Sequence, residues 1–167
     1  NAVGAIYSLF FISIVISALS PFLCYSHPGE NGESVISAPS LLCFKSAEHS
    51  SMVIISILST ALVLTPFLAL CGFGIFKYRH YVDGGANSGG FLHAFRFLFV
   101  RYSPNCYYFQ FIFLLRSLVV CLIPAVLRGG TASQVPLMCI VLCAYSICVT
   151  QLQAWRSRLC NLLDAVM

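Results

Sequence analysis

Arg116 interrupts an otherwise apolar run from Tyr107 to Arg128, and Asp164 follows inside the next such run but one. The chemistry open to these two groups is pairing. An unpaired arginine at the centre of a helix in hydrocarbon costs at least about 2.5–3.5 kcal/mol. At ~1.5 Å per residue Arg116 lies roughly 14 Å beyond Tyr107, and Asp164 roughly 9 Å beyond Arg158 on the same side. A flexible arginine stem covers a difference of that size by snorkelling. An interhelical Arg116–Asp164 ion pair is therefore expected, with Ser146 or Thr150 available for the remaining donors. The alternative is an Arg116 that lines an aqueous cavity alone.

Other groups invite other chemistry. Cys24 and Cys43 bracket a stretch rich in turn formers. In an oxidising compartment a disulfide between them would contribute about 2–4 kcal/mol. His27, Glu30, Glu33, Glu48 and His49 share that stretch and could form a divalent-ion or proton-sensing site, although their spacing matches no ligand pattern. Cys139 and Cys143 are four apart on one helix face, but no histidine or carboxylate lies near them. They read, with Cys71, Cys121 and Cys148, as small hydrophobes. Asp83 to Gly90 is glycine-rich without a preceding strand or a following Gly-Lys-Ser/Thr, and reads as a hinge rather than a phosphate loop. No nucleophile–base or His-Glu-x-x-His arrangement occurs within the apolar runs, so neither an enzyme nor a cofactor is expected.

The elements that must position these residues are set by the solvent. Hydrophobic residues make up 59% of the chain and charged ones only 8%, where a soluble domain carries about a quarter charged. The mean hydropathy is +0.91. The expected fold is all-α: a polytopic membrane helical bundle with spans near 3–23, 51–76, 107–128 and 134–155, and the start of a fifth at 159–167. Span one carries a small-residue stripe from Gly4 through Ser20 that suits close helix approach. It lacks a basic leader region and reads as a retained span, not a signal peptide. Pro66 is expected to kink span two, with Thr65 compensating. Pro136 falls in the expected first turn of span four, a tolerated place. Opening at Asn1 and stopping at Met167 as an apolar run begins, the sequence reads as part of a longer chain.

The net charge of +4 points to topology rather than nucleic acid, because the basic residues flank apolar runs. Lys77, Arg79, Arg96, Arg101, Arg156 and Arg158 fall on one side of the arrangement, against Lys45 and Arg128 on the other. The positive-inside rule then puts the connector and interfacial segment, 77–106, in the cytoplasm and the loop 24–50 outside or in a lumen. Phe91 to Tyr102 is expected to form one amphipathic helix on the inner leaflet, with Arg96 and Arg101 near anionic lipid phosphates. Trp155 is expected at the interface beside Arg156.

Tyr107-Tyr108-Phe109-Gln110, Leu115-Arg116, Gln151 to Trp155 and Asn161-Leu-Leu-Asp164 follow one another along the second half of the chain. From about Phe95 to Asp164 it resembles the C-terminal multi-pass region of large protist surface proteins, distantly similar to transient-receptor-potential-like and polycystin-like membrane domains. In those a Tyr-Tyr-Trp-Glu type opening precedes the membrane arginine, where this chain has Phe109-Gln110. The resemblance implies architecture; it carries over no pore loop, filter or ligand residue. Two functions are open: a region of a channel-like protein, with cation permeation or gating, or a non-conducting anchor or receptor bearing upstream ectodomains. The partners implied are the bilayer of a plasma membrane or endomembrane, anionic inner-leaflet lipids, the rest of the same chain and, optionally, further copies of it.

Overall fold

A computed structural model describes residues 2–27, 32–83, 89–127 and 131–166. Four helical stretches in it are long and apolar enough to cross a membrane: Ala2–Phe22, Ala47–Val82, Phe109–Val126 and Ala132–Leu152. Much of their surface is apolar and uncovered, Phe10 at 60%, Leu62 at 73% and Phe76 at 87% exposed. Contiguous apolar surface of that extent is at home only in lipid. This is a multi-pass membrane protein.

Helix α1 (Ala2–Leu19) buries Gly4, Phe11, Val15, Ala18 and Leu19, a stripe repeating at the helical period. Phe11, Val15 and Leu19 meet Leu64, Cys71, Leu98 and Leu114 in one core cluster. The chain leaves α1 through a 3-10 turn at Pro21. It then forms a feature that helix-only reasoning passed over. Strands β1 (Cys24–Ser26), β2 (Glu33–Val35) and β3 (Ala38–Leu42) pair antiparallel in that order, Cys24 opposite Val35 and Ser34 opposite Leu42. The all-α expectation is corrected to a helical bundle with a small sheet cap. Outside the hydrocarbon the backbone is free to pair between strands; Ser34 and Val35 are both buried, and the pairing with β3 is irregular between them.

Helix α2 (Ala47–Ser59) starts at Ser46, whose hydroxyl accepts the His49 N–H at 3.2 Å. Its last residue leads into a π-helical turn, Thr60–Leu64, and then α3 (Thr65–Asp83). The π turn lies immediately before Pro66. There Thr65 directs both its N–H and its hydroxyl to the Thr60 carbonyl, the hydroxyl at 3.0 Å. Charge does not stop this helix at Lys77, where the second span was expected to end near 76; it runs on to Asp83.

The connector 84–88 and Glu30 lie outside the described residues, so the hinge and part of the acidic loop reading go undescribed. After the connector come two short helices rather than one, α4 (Gly89–Ala94) and α5 (Arg96–Phe99), broken at Phe95. Their apolar side meets protein instead of lipid. Leu98 is completely buried in the core, and the Phe95 and Phe97 rings press on Gly74 and Gly4, where no Cβ stands in the way. His93, Arg96 and Arg101 are exposed, as the split of sides requires.

Helix α6 (Phe109–Val126) packs on α1 and on α7 (Thr131–Leu152), and α8 (Arg158–Val166) packs back on α7. Arg128, the expected end of the third span, is outside the described residues. Helix α7 begins three residues before Gln134, so Pro136 sits beyond the first turn.

Candidate functional site

The polar centre of the structure is where α6, α7 and α8 meet. Arg116 is eight residues into α6 and Tyr145 eight residues from the end of the antiparallel α7, which matches their depths. Asp164 is seven residues into α8, which turns back along α7. The Arg116 guanidinium carbon lies 4.3 Å from the Tyr145 ring centroid and 5.1 Å from that of Phe113. The aromatic faces present negative charge to it. The Tyr145 hydroxyl donates to Asp164 Oδ2 at 3.0 Å, and Trp155 Nε1 donates to the same oxygen at 2.7 Å.

The expected ion pair is therefore corrected to a bridged one. Among the described residues no direct Arg116–Asp164 ion pair forms; Tyr145 stands between them, cation on its face and carboxylate on its hydroxyl. The physical reason is that a ring intervening at matched depth offers both charges a partner without requiring guanidinium and carboxylate to be desolvated against each other. Ser146 and Thr150 do not serve Arg116: their hydroxyls donate to Leu142 O and Ile147 O of their own helix. Arg116 Nε is buried without a hydrogen-bond partner.

A scaffold of backbone contacts holds the node. The α7–α8 turn passes through Gln153 at φ 43°. Asn161 clamps the turn, accepting the Trp155 N–H at 2.9 Å and donating to Trp155 O at 3.1 Å. Tyr102 and Trp155 form an antiparallel backbone bridge, and Ser103 N donates to Ala154 O at 2.9 Å. Tyr102, Cys106, Phe109, Tyr145, Val149 and Ala154 make a second buried cluster around it. Burial pushes the Tyr102 hydroxyl pKa up; the Asp164 carboxylate adds to this, while Arg101 and Arg116 oppose it. Trp155 is thus half-buried against Tyr102, ring centroids 5.0 Å apart, with its N–H committed to Asp164. Beyond the interfacial place expected of it, this side chain joins the α7–α8 turn to the segment before α6. Tyr145 and Tyr102 were not singled out by sequence reasoning. The available signal was a tyrosine at the depth of a membrane arginine.

The loop residues gather at the other end. Cys24 and Cys43 form a disulfide with Cα atoms 6.4 Å apart. His49 is fully buried beneath it; Nδ1 accepts the Phe44 N–H at 3.1 Å, which leaves Nε2 to donate to Pro21 O at 3.0 Å. His27 pairs separately with Ser34 Oγ at 2.8 Å. Sγ of Cys24, Sγ of Cys43 and a His49 nitrogen lie within 4.8 Å of one another, a ligand-like grouping. The disulfide uses both sulfurs and the backbone uses both ring nitrogens, so this group acts as a structural clasp. On α7, Cys139 and Cys143 are both exposed.

No protein-family model matches the chain, and neither a curated protein nor a solved structure matches it.

Proposed function

We propose that this chain is a sensor-like helical region of a channel-like membrane protein, in which the Tyr145 node couples α6, α7 and α8. The single observation that carries this reading is that one intramembrane tyrosine is shared by opposite charges from two other helices. Intramembrane charges are costly and are kept chiefly where function uses them. A displacement of α8 moves Asp164, reorients the Tyr145 hydroxyl and is felt by Arg116 on α6. The bridge from Trp155 to Tyr102 extends the same linkage to the segment before α6. Voltage is a poor candidate for the input, because a voltage sensor repeats basic residues along one helix and α6 carries one. The resemblance read from the motifs between Phe95 and Asp164 points to the same class, and the basic-residue bias supports a cytoplasmic 77–106 segment in a plasma membrane or endomembrane.

The test is conductance of the full-length protein in planar bilayers. A cation conductance whose open probability shifts in Tyr145→Phe supports the reading; a wild-type protein that conducts nothing refutes it. The second reading, a non-conducting anchor or receptor, is supported by the disulfide-closed sheet cap, a compact platform for ectodomains.

A further inference from the structure

A cavity of about 330 Å³ opens between the first turns of α1, the α5 segment and the start of α6. Its walls are Ala2, Ala5 and Ser8 on α1, Arg96, Phe97, Val100 and Arg101 on the next segment, and Gln110 on α6. Two features set it apart from an accidental gap. Among the described residues, both charged ones that line it are arginines, and no carboxylate does. Gln110 is only 4% exposed, and its side-chain amide has no hydrogen-bond partner among the described residues. The Gln110 amide is reached from the cavity rather than sealed in protein, so whatever fills the cavity can take its hydrogen bonds. Ser8 adds shape more than donors, because its hydroxyl already donates to Gly4 O at 2.9 Å.

We infer that this cavity seats the phosphate of an anionic phospholipid, gripped by Arg96 and Arg101 and hydrogen-bonded by the Gln110 amide. Guanidinium groups match phosphate oxygens in forked, charge-assisted geometry. A neutral amide inside the cavity adds a directional donor without a further charge to desolvate. The volume is at the lower end of small-ligand sites and suits a headgroup phosphate better than a whole lipid. The location fits the source: α1, α5 and α6 meet here at the basic end of the bundle, where phosphates of the inner leaflet lie. Apolar α1 and α6 surfaces flank the cavity and offer acyl chains a path into the hydrocarbon. The inference deepens the expected lipid contact of Arg96 and Arg101, turning a diffuse attraction into a site with an internal donor. It rests on the membrane reading and not on channel activity.

The experiment uses the full chain purified in neutral detergent, with bound lipid counted by native mass spectrometry during titration with dioctanoyl phosphatidic acid. Parallel arms use dioctanoyl phosphatidylcholine and inorganic phosphate. Phosphatidic acid is expected to bind with one-site saturation and at least tenfold more tightly than phosphatidylcholine. Arg96→Gln and Gln110→Leu should each weaken it about fivefold or more, and Arg79→Gln, a basic residue outside the cavity, less than twofold. Arg96 is exposed, so its variant keeps the test alive if Gln110→Leu does not fold. Equal binding of the two lipids overturns the inference, as does an equal effect of Arg79→Gln and Arg96→Gln. Inorganic phosphate that competes as strongly as phosphatidic acid overturns the lipid source. Loss of conductance with lipid binding intact counts against the channel reading alone.

Discussion

Tyr145→Phe deletes one oxygen from the centre of the node and leaves the ring under Arg116 in place. What is lost is the 3.0 Å bond to Asp164 Oδ2, while Trp155 Nε1 continues to serve that carboxylate at 2.7 Å. Interhelical side-chain hydrogen bonds in membranes average about 0.6 kcal/mol and reach about 1.7 kcal/mol. A carboxylate acceptor places this one toward the upper figure, so a loss of about 1.5 kcal/mol is expected. Tyr145→Leu also removes the cation–π contact, an additional ~0.5–2 kcal/mol, and the buried ring. It should therefore cost at least twice as much. The chain carries its own reporter, since Trp155 is its one tryptophan and is bonded to the same oxygen. Denaturant unfolding in mixed micelles, followed by tryptophan emission and independently by helical circular dichroism, gives the free energies. The decisive quantity is the coupling between Tyr145→Phe and Asp164→Leu, expected near 1 kcal/mol or more. Separate sites add to within about 0.5 kcal/mol. Additivity of these two changes at that level would refute the bridge, and with it the account of how Arg116 and Asp164 are linked.

Two further outcomes are expected. Cys24→Ser opens a loop closed over a sequence separation of 19 residues, which chain entropy sets at about 3 kcal/mol; the cap should become labile to protease while the node's tryptophan emission is unchanged. Gly74→Ala places a Cβ 2.6 Å from the Phe95 ring, so it should cost about 1–3 kcal/mol in the same unfolding assay, with Phe95→Leu recovering much of it.

The spans were legible because hydrocarbon imposes a length and a composition, and both are written in the order of residues. Arg116 and Asp164 were legible as a pair of interests for the same reason, since any charge inside such a run needs an answer. What the sequence did not disclose was the tyrosine between them. Tyr145 is apolar enough to disappear into span four, and only the antiparallel packing of α7 on α6 fixes its depth against Arg116. The cap was half legible: cysteine placement announced the disulfide, but strands of three and five residues are too short to show a period. The amphipathic 91–102 segment carried a true split of sides. Its partner was misjudged because Gly4 and Gly74 become sockets for phenylalanine rings only once three helices stand together.

The π turn at Thr60–Leu64 has a consequence for the helix that contains it. A turn that spends one residue more than an α turn adds a phase increment of about 100° between the segments on either side. The two halves of the 36-residue stretch Ala47–Val82 are thus indexed independently, as two cogs on one shaft set with a fixed offset. Above the offset, His49 and Ser56 face the bundle; below it, Cys71 and Gly74 do. Deleting a single residue from 60–64 would let the turn close as an ordinary α turn with the lower half still facing as it does, whereas adding or removing one residue in the α-helical stretch on either side would swing Cys71 toward lipid and carry Gly74 away from Phe95. In this helix the count of residues is itself a structural constraint, as strict as the identity of any of them.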